Sequence, residues 1–310
     1  MTRVASYAQF LQTQTYLART QARVKESNLS IASGKVAQSY DKLGVDSYRL
    51  LSLEQSDAQA EQFGKNIDRA IGRLSIMESA ATTLVDRATY LLSQLAIAVN
   101  ADNADNIALD QIGDSFMIDA ASALNVRHEG RHLFSGSRGN IAPVDVTGYD
   151  PTATWPPAAP GIVDTSYYQG DGITAVARVD DSFELDYGIT ADEPGFERLM
   201  RALAYTRWAG QNPTDPDRGT VLAEALDLTR SAIDDLGRIR SEIGAKSSVM
   251  EAAKRRHEEF RSYASEAISG IEDTDLTVAV SRLSADQTML QASYLSLVRL
   301  QSISLVDFLR

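Results

Sequence analysis

Apolar residues recur in alternating steps of four and three along most of this chain, and that spacing sets the elements it predicts. Near the start, Phe10, Gln14, Leu17, Gln21, Val24, Asn28 and Ile31 keep the rhythm. Near the end, Leu276, Val280, Leu283, Gln287, Leu290, Tyr294, Leu297, Gln301 and Ser304 do the same. Both stretches predict coiled-coil helices, and Asp273 and Asp275 place negative charge where the second begins, as a helix N-terminus favours. Every second seam position in the first is an amide, and Gln287 and Gln301 repeat the device. Amides buried in a seam weaken it while fixing its register. The two ends are therefore expected to be marginal alone, to pair with each other, and to be completed by packing in an assembly.

Two longer periodic stretches lie between. From Tyr48 to about Asn100, the positions Phe63, Ile67, Ala70, Leu74, Met77, Ala81, Leu84, Ala88, Leu91 and Leu95 predict a rod about 75 Å long. Leu222, Leu226, Thr229, Ile233, Leu236, Ile243, Ser247 and Met250 predict a second rod that continues through a charged stretch to about Ser269. A third helix is expected from Ile107 to about His128, with Ile112, Phe116, Ala120 and Leu124 inward. Breaks fall at Ser33-Gly34-Lys35 and in SYDKLGVDS, residues 39–47. From 137 the pattern changes: five of the eight prolines lie between Pro143 and Pro160, and the runs ITAVARV (173–179) and SFELDYGI (182–189) alternate as strands do.

The fold class that follows is mainly α: an elongated bundle of long antiparallel helices with N- and C-terminal coiled-coil helices, plus a small β-rich insertion. The expected divisions are 1–47 and 270–310 as terminal assembly segments, 48–135 and 195–269 as two halves of a helical rod domain, and 136–194 as the insertion. Phe10, Leu17, Val24, Ile31, Leu283, Leu290, Tyr294, Leu297, Leu305 and Phe308 are the candidate assembly residues.

Charge and composition narrow the chemistry. A net charge of −12 without a basic stripe argues against nucleic acid. The most apolar window, Leu91 to Val99, is far too short for a membrane span. The first thirty residues form no apolar leader core, so any export is expected to use a route other than the general secretory one. With no cysteine there is no thiol chemistry and no thiolate metal site.

One stretch imitates a catalytic motif. His128-Glu129-Gly130-Arg131-His132 is literally H-E-x-x-H, which on a helix sets two histidines one turn apart around zinc, with the glutamate activating water. Here it contains a glycine, lies at an expected helix end, and the next glutamate is Glu184. A helix C-terminus with basic side chains explains it more simply. His257, among Arg255, Arg256, Glu258 and Glu259, reads as part of a solvated helix face. RHLFSGSRG (131–139) has the glycines of a phosphate loop without its lysine. No catalytic residue, cofactor or metal is expected.

The residues also carry a resemblance. Asn28-Leu29-Ser30-Ile31-Ala32-Ser33-Gly34-Lys35, Asp41, Asn66-Ile67, Arg69-Ala70 and Arg73-Leu74 resemble the N-terminal helical region of the flagellin superfamily; Asp275, Gln291-Ala292-Ser293-Tyr294 and 302–309 resemble its closing helix. Within it, the Gly-x-x-Leu-Phe-x-Gly stretch from Gly130 to Gly136, Tyr168-Gln169-Gly170-Asp171 and the ending Ser304 to Leu309 are similar to the hook–filament junction branch, the hook-associated protein 3 family. The resemblance implies a non-catalytic flagellar adaptor, exported through the flagellar channel. It further implies self-association in a ring or helical layer, contact with a neighbouring hook-associated protein and with flagellin, and an export chaperone on the C-terminal helix. A filament-forming flagellin, a zinc peptidase and a rod-like binding protein closed within one chain are the rival readings.

Overall fold

The computed structural model describes residues 2–100, 107–152 and 162–308, with side chains from 11 to 299 in the terminal helices. Trp155 and the prolines at 156, 157 and 160 lie outside the described residues. The elements run α1 (Thr2–Ser33), α2 (Asp46–Ala98), α3 (Leu109–Leu124), β1 (Arg127–His128), β2 (Arg131–His132), β3 (Val176–Asp180), β4 (Phe183–Asp186), α4 (Pro194–Gln211), α5 (Arg218–Glu272) and α6 (Leu276–Phe308). The chain is mainly α with a small strand-bearing region, as its periodicity implies. It divides into two compact units, one of residues 60–258 and one of 1–59 with 259–310; α2 and α5 each run from one unit into the other.

In the unit of residues 60–258, the rhythm of α2 is realised position by position. Phe63, Ile67, Ala70, Leu74, Met77, Ala81, Leu84, Ala88, Leu91 and Leu95 are all buried. On α5 the buried face holds Leu222, Thr229, Leu236, Ile243 and Met250, joined by Ala225, Ala232 and Ile239. Lys254 on α5 pairs with Asp68 on α2 at 2.7 Å.

The third helix departs from expectation in two respects. Its buried face is Leu109, Gly113, Met117, Ala120, Ala121 and Leu124, one residue round from the expected Ile112 and Phe116, which are only half-buried. The reason is α4, against which α3 packs antiparallel. A Cβ on Gly113 would stand 2.6 Å from the Arg207 amide nitrogen, and one on Gly210 would overlap the Asp110 backbone. The two glycines let the helix backbones touch. The helix also stops at Leu124 instead of reaching His128, because Glu129 (φ 50°) and Gly130 (φ 78°) form the two-residue turn of a β hairpin.

α4 is buried on nearly every side, from Gly195 to Ala209. Its Phe196 meets Phe134 edge-on at 5.7 Å. Its charged residues fasten the insertion: Glu197 accepts from the Asp164 N–H at 3.0 Å, Arg201 donates to the Ile162 carbonyl at 2.6 Å, and Arg207 donates to the Tyr149 carbonyl at 2.8 Å. Burial pushes the Glu197 carboxyl above its ordinary value, against the pull of the Asp164 amide and Arg201. The strands are shorter than the alternating runs: β3 and β4 pair antiparallel over Val176–Asp180 and Phe183–Asp186. They rest on the rods through a histidine expected to be solvated. The His257 ring stacks on Phe63 at 5.3 Å, and its Nε2–H donates to the Val179 carbonyl at 2.8 Å.

The glycine contact is testable. Gly210→Val should lower stability by about 1–3 kcal/mol, the usual effect of overpacking, as read by thermal melting. Gly237→Ala on α5, where a Cβ meets nothing within 4 Å, should raise stability by roughly 0.5–1 kcal/mol.

Candidate assembly surface

The terminal unit is built on one pairing. α1 packs antiparallel to α6, and its cross-contacts run from Gln21 donating to the Tyr294 hydroxyl (2.6 Å), through Arg23 with Asp286 (2.9 Å), to Ser30 donating to Thr274 (3.0 Å). At the far end the turn that follows α1 is sewn to the turn between α5 and α6. Val36 N–H donates to the Glu272 carbonyl at 2.7 Å, Thr274 N–H to the Gly34 carbonyl at 2.8 Å, and Lys35 pairs with Glu272 at 2.8 Å. Gly34, at φ 73°, supplies the left-handed residue that ends α1.

The seam itself corrects the sequence reading. On α1 the shielded positions are Thr13, Leu17, Thr20, Val24, Ser27, Ser30 and Ile31; on α6 they are Ala279, Leu283, Asp286, Leu290, Ser293 and Leu297. Leu17, Val24, Ile31, Leu283, Leu290 and Leu297 thus sit where expected. The amides do not: Gln14, Gln21, Asn28 and Gln287 are exposed, and small residues one position away alternate with the large ones. An amide in the seam would be left short of partners, whereas a Thr or Ser hydroxyl bonds back to its own helix. Thr20 does so to the Tyr16 carbonyl at 2.9 Å, and Ser293 to the Met289 carbonyl at 2.8 Å. Tyr294 lies on the exposed flank, 44% accessible. Phe10, Leu305 and Phe308 fall on α1 and α6, but their side chains lie outside the described ones.

Shielding in this unit is slight. Among the described residues its buried apolar side chains are Leu50, Ala264 and Ala279. Leu276, Val280, Tyr294, Leu295 and Val298 on α6, and Leu11, Tyr16 and Leu29 on α1, stand exposed beside the seam. A groove of about 320 Å³ runs along the end of α1, lined by Ala22, Leu29, Val36 and Ala37 with Lys25 and Lys42 at its edge.

The H-E-x-x-H stretch takes no helical form. It is the β1–β2 hairpin, in which Arg127 lies opposite His132 and His128 opposite Arg131, so the two histidines occupy opposite faces. His132 is buried with both ring nitrogens engaged: Nδ1 is 2.8 Å from the Asn125 carbonyl, and Nε2 accepts from Arg127 Nε at 2.9 Å. Burial holds the imidazole below its usual value, and Arg127 adds to that. The ring is committed to protein on both sides. Among the described residues no three potential ligands gather around a metal position, and no helix is long and apolar enough to cross a membrane.

Two motifs single out by sequence turn out to grip each other. Gly136 (φ 67°) lies so close to the Asp171 backbone that any Cβ would overlap it. Asp171 accepts from the Ser137 N–H at 2.8 Å and from the Ser137 hydroxyl, while Tyr168 donates to the Asp171 carbonyl at 2.7 Å. The Gly-x-x-Leu-Phe-x-Gly and Tyr-x-Gly-Asp segments are thus two halves of one clasp. Sequence reasoning saw both halves without placing them in contact.

α1 pairs with α6, and a clasped strand-bearing excursion lies between the two long helices α2 and α5 along the chain. The model of the bacterial flagellin N-terminal helical region matches residues 4–138, and that of the C-terminal helical region matches 226–309, together more than two thirds of the sequence. The chain belongs to the bacterial flagellin family. Among solved structures, a flagellar hook-associated protein from Vibrio parahaemolyticus is 16% identical with a TM-score of 0.60, covering 73% of this chain and 97% of that one. Bacillus cereus FlgL is 18% identical with a TM-score of 0.56, covering 70% and 98%. At these identities the likeness is one of fold. No curated protein matches the sequence.

The clasp has a pH signature. The Ser137 hydroxyl and then its backbone N–H hold the Asp171 carboxyl below the ordinary value of 3.8. A depressed carboxylate stabilises the fold above its unfolded value, and that contribution is lost as pH falls through the lowered one. Asp171→Asn should therefore melt below the parent at pH 7, and the gap should close in melts taken well below 3.8.

Proposed function

We propose that this chain is a structural subunit of the bacterial flagellum that joins hook to filament, with no catalytic step. The observation that carries the reading is the apolar deficit of the terminal unit. Among the described residues, α1 and α6 expose more large apolar side chains than they bury, and that surface is left for something else to cover. Repeated copies of the same chain would cover it. Leu17, Val24, Ile31, Leu283, Leu290 and Leu297 hold each α1–α6 pair, and Phe10, Tyr294, Leu305 and Phe308 join the surface between copies.

The junction role, in preference to an indefinitely growing filament, is supported by the clasp between residues 130–136 and 168–171 and by the fold shared with a hook-associated protein and FlgL. A nearly uncovered terminal pair also suits export: it is weak alone, it can pass a narrow channel unfolded, and it gains order on arrival. An export chaperone covering α6 would keep its exposed side chains from premature contact. The subunit then meets another hook-associated protein on one side and flagellin on the other.

Two experiments test this. Val280→Ser, Leu295→Ser and Val298→Ser alter exposed positions, so the helical content and melting of the free protein should stay unchanged. Each removes roughly 1.5 kcal/mol of burial between copies, about tenfold in association, so incorporation into flagella should collapse. Normal incorporation of the triple variant would refute the surface assignment. Immunogold labelling with antibody to residues 162–190 should give one band between hook and filament; label along the whole filament would make the chain a filament flagellin.

A further inference from the structure

In the unit of residues 60–258, two hairpins of opposite charge lie side by side. Arg73 on α2 joins them, donating to the Tyr187 hydroxyl just past β4 at 2.9 Å and pairing with Glu129 in the β1–β2 turn at 3.4 Å. With Glu129 so occupied, the β1–β2 hairpin presents Arg131 on the face it shares with His128 and Arg127 on the other. Both are exposed, and neither has a carboxylate partner among the described residues. Both are steadied from behind. Arg127 is tied through Nε to His132, and Arg131 lies against Gly139, donating through one Nη to the Ser137 carbonyl at 3.4 Å. The remaining guanidinium N–H groups are left for a carboxylate, with much of the ordering cost already met.

The β3–β4 hairpin is the counterpart. Its outward face carries Glu184 and Asp186, with Asp180 and Asp181 at the turn. Glu184 stands opposite Arg178 in the register, yet Arg178 turns away to Asp181 and lies over the Phe63 ring. Glu184 thus has no cationic partner among the described residues. The wider charge makes this matter: the unit holds 19 basic and 30 acidic residues, so neighbouring copies repel except where a basic patch of one faces an acidic patch of the next.

We propose that the β1–β2 hairpin of one copy docks on the β3–β4 hairpin of a second copy of this chain, with Arg131 pairing Glu184. The inference rests on the assembly reading above. Since the two patches differ, the contact is head-to-tail, and it generates a ring or helical layer instead of a closed dimer.

The absence of cysteine makes a direct test possible. Arg131→Cys and Glu184→Cys are placed together and singly in the full chain, and flagella are treated with a short bis-maleimide, since an arginine–glutamate pair sits too wide for a disulfide. The double variant should give a ladder of dimers, trimers and higher species, and each single variant monomers only. Dimers from either single variant would show a symmetric contact and overturn the proposal. Normal incorporation of the double variant without a ladder would overturn it too, leaving the assembly function standing. Failure of the unaltered chain to enter flagella would bring down both. As an independent check, Arg131→Glu and Glu184→Arg should each reduce incorporation at least tenfold and restore it when combined; no recovery counts against the pairing.

Discussion

A pair of helices cannot bury its own apolar surface, and the terminal unit depends on that constraint. Each helix has one face toward the other, and the faces to either side stay in water whatever the sequence. In α6 the shielded residues are Ala279, Leu283, Asp286, Leu290, Ser293 and Leu297, while Val280, Tyr294 and Val298 each stand one residue past one of them. The apolar stripe is therefore wider than one partner can cover. The staple between 34–36 and 272–274 fixes where α1 ends and α6 begins, and hydroxyl-bearing seam positions let them approach, but neither adds core. Stability in this unit is left to whatever packs against it.

The unit of residues 60–258 is built on the opposite principle. α4 is buried nearly all round, the glycines at 113 and 210 bring its backbone against α3, and Glu197, Arg201 and Arg207 tie the insertion back to it. The clasp at Asp171 and the His257 contact with Val179 fix the remaining excursion to the helices. A subunit with one self-sufficient unit and one unfinished one separates folding from assembly. On the assembly reading proposed above, the first would form in a free chain and the second would gain its packing from neighbours.

What the sequence disclosed follows from which interactions are local. The rhythm of α2 was legible because leucines and alanines at fixed steps have no use other than a buried face. The terminal seam was legible only at every second position: Leu17 and Val24 declare themselves, but Thr20 and Ser293 look like surface residues until their hydroxyls are seen bonding along the helix. The amides beside them mimic a register device. His257 was misread because Phe63 and Val179 are remote in the chain and nothing among its charged neighbours points to them. At His128 and His132 the zinc-helix spacing was rightly set aside, but the helix C-terminus expected instead is a hairpin, because Glu129 and Gly130 take left-handed conformations. Gly130 was the one signal for that turn.

Charge is distributed to match this division. The terminal unit has 11 basic and 12 acidic residues, close to neutral, whereas residues 60–258 carry nearly all of the net −12. Apolar faces proposed to pack between copies would thus be free of a large opposing field, while the charge of the other unit would set free copies repelling one another. Repulsion between such units is screened beyond roughly 8 Å at physiological salt, so it acts just where copies would touch. Contacts there are restricted to places where the sign changes, and an arginine hairpin beside an acidic one, both anchored through Arg73, is such a place. Apolar packing at the termini would then supply most of the affinity, and the charged hairpins the register of one copy on the next.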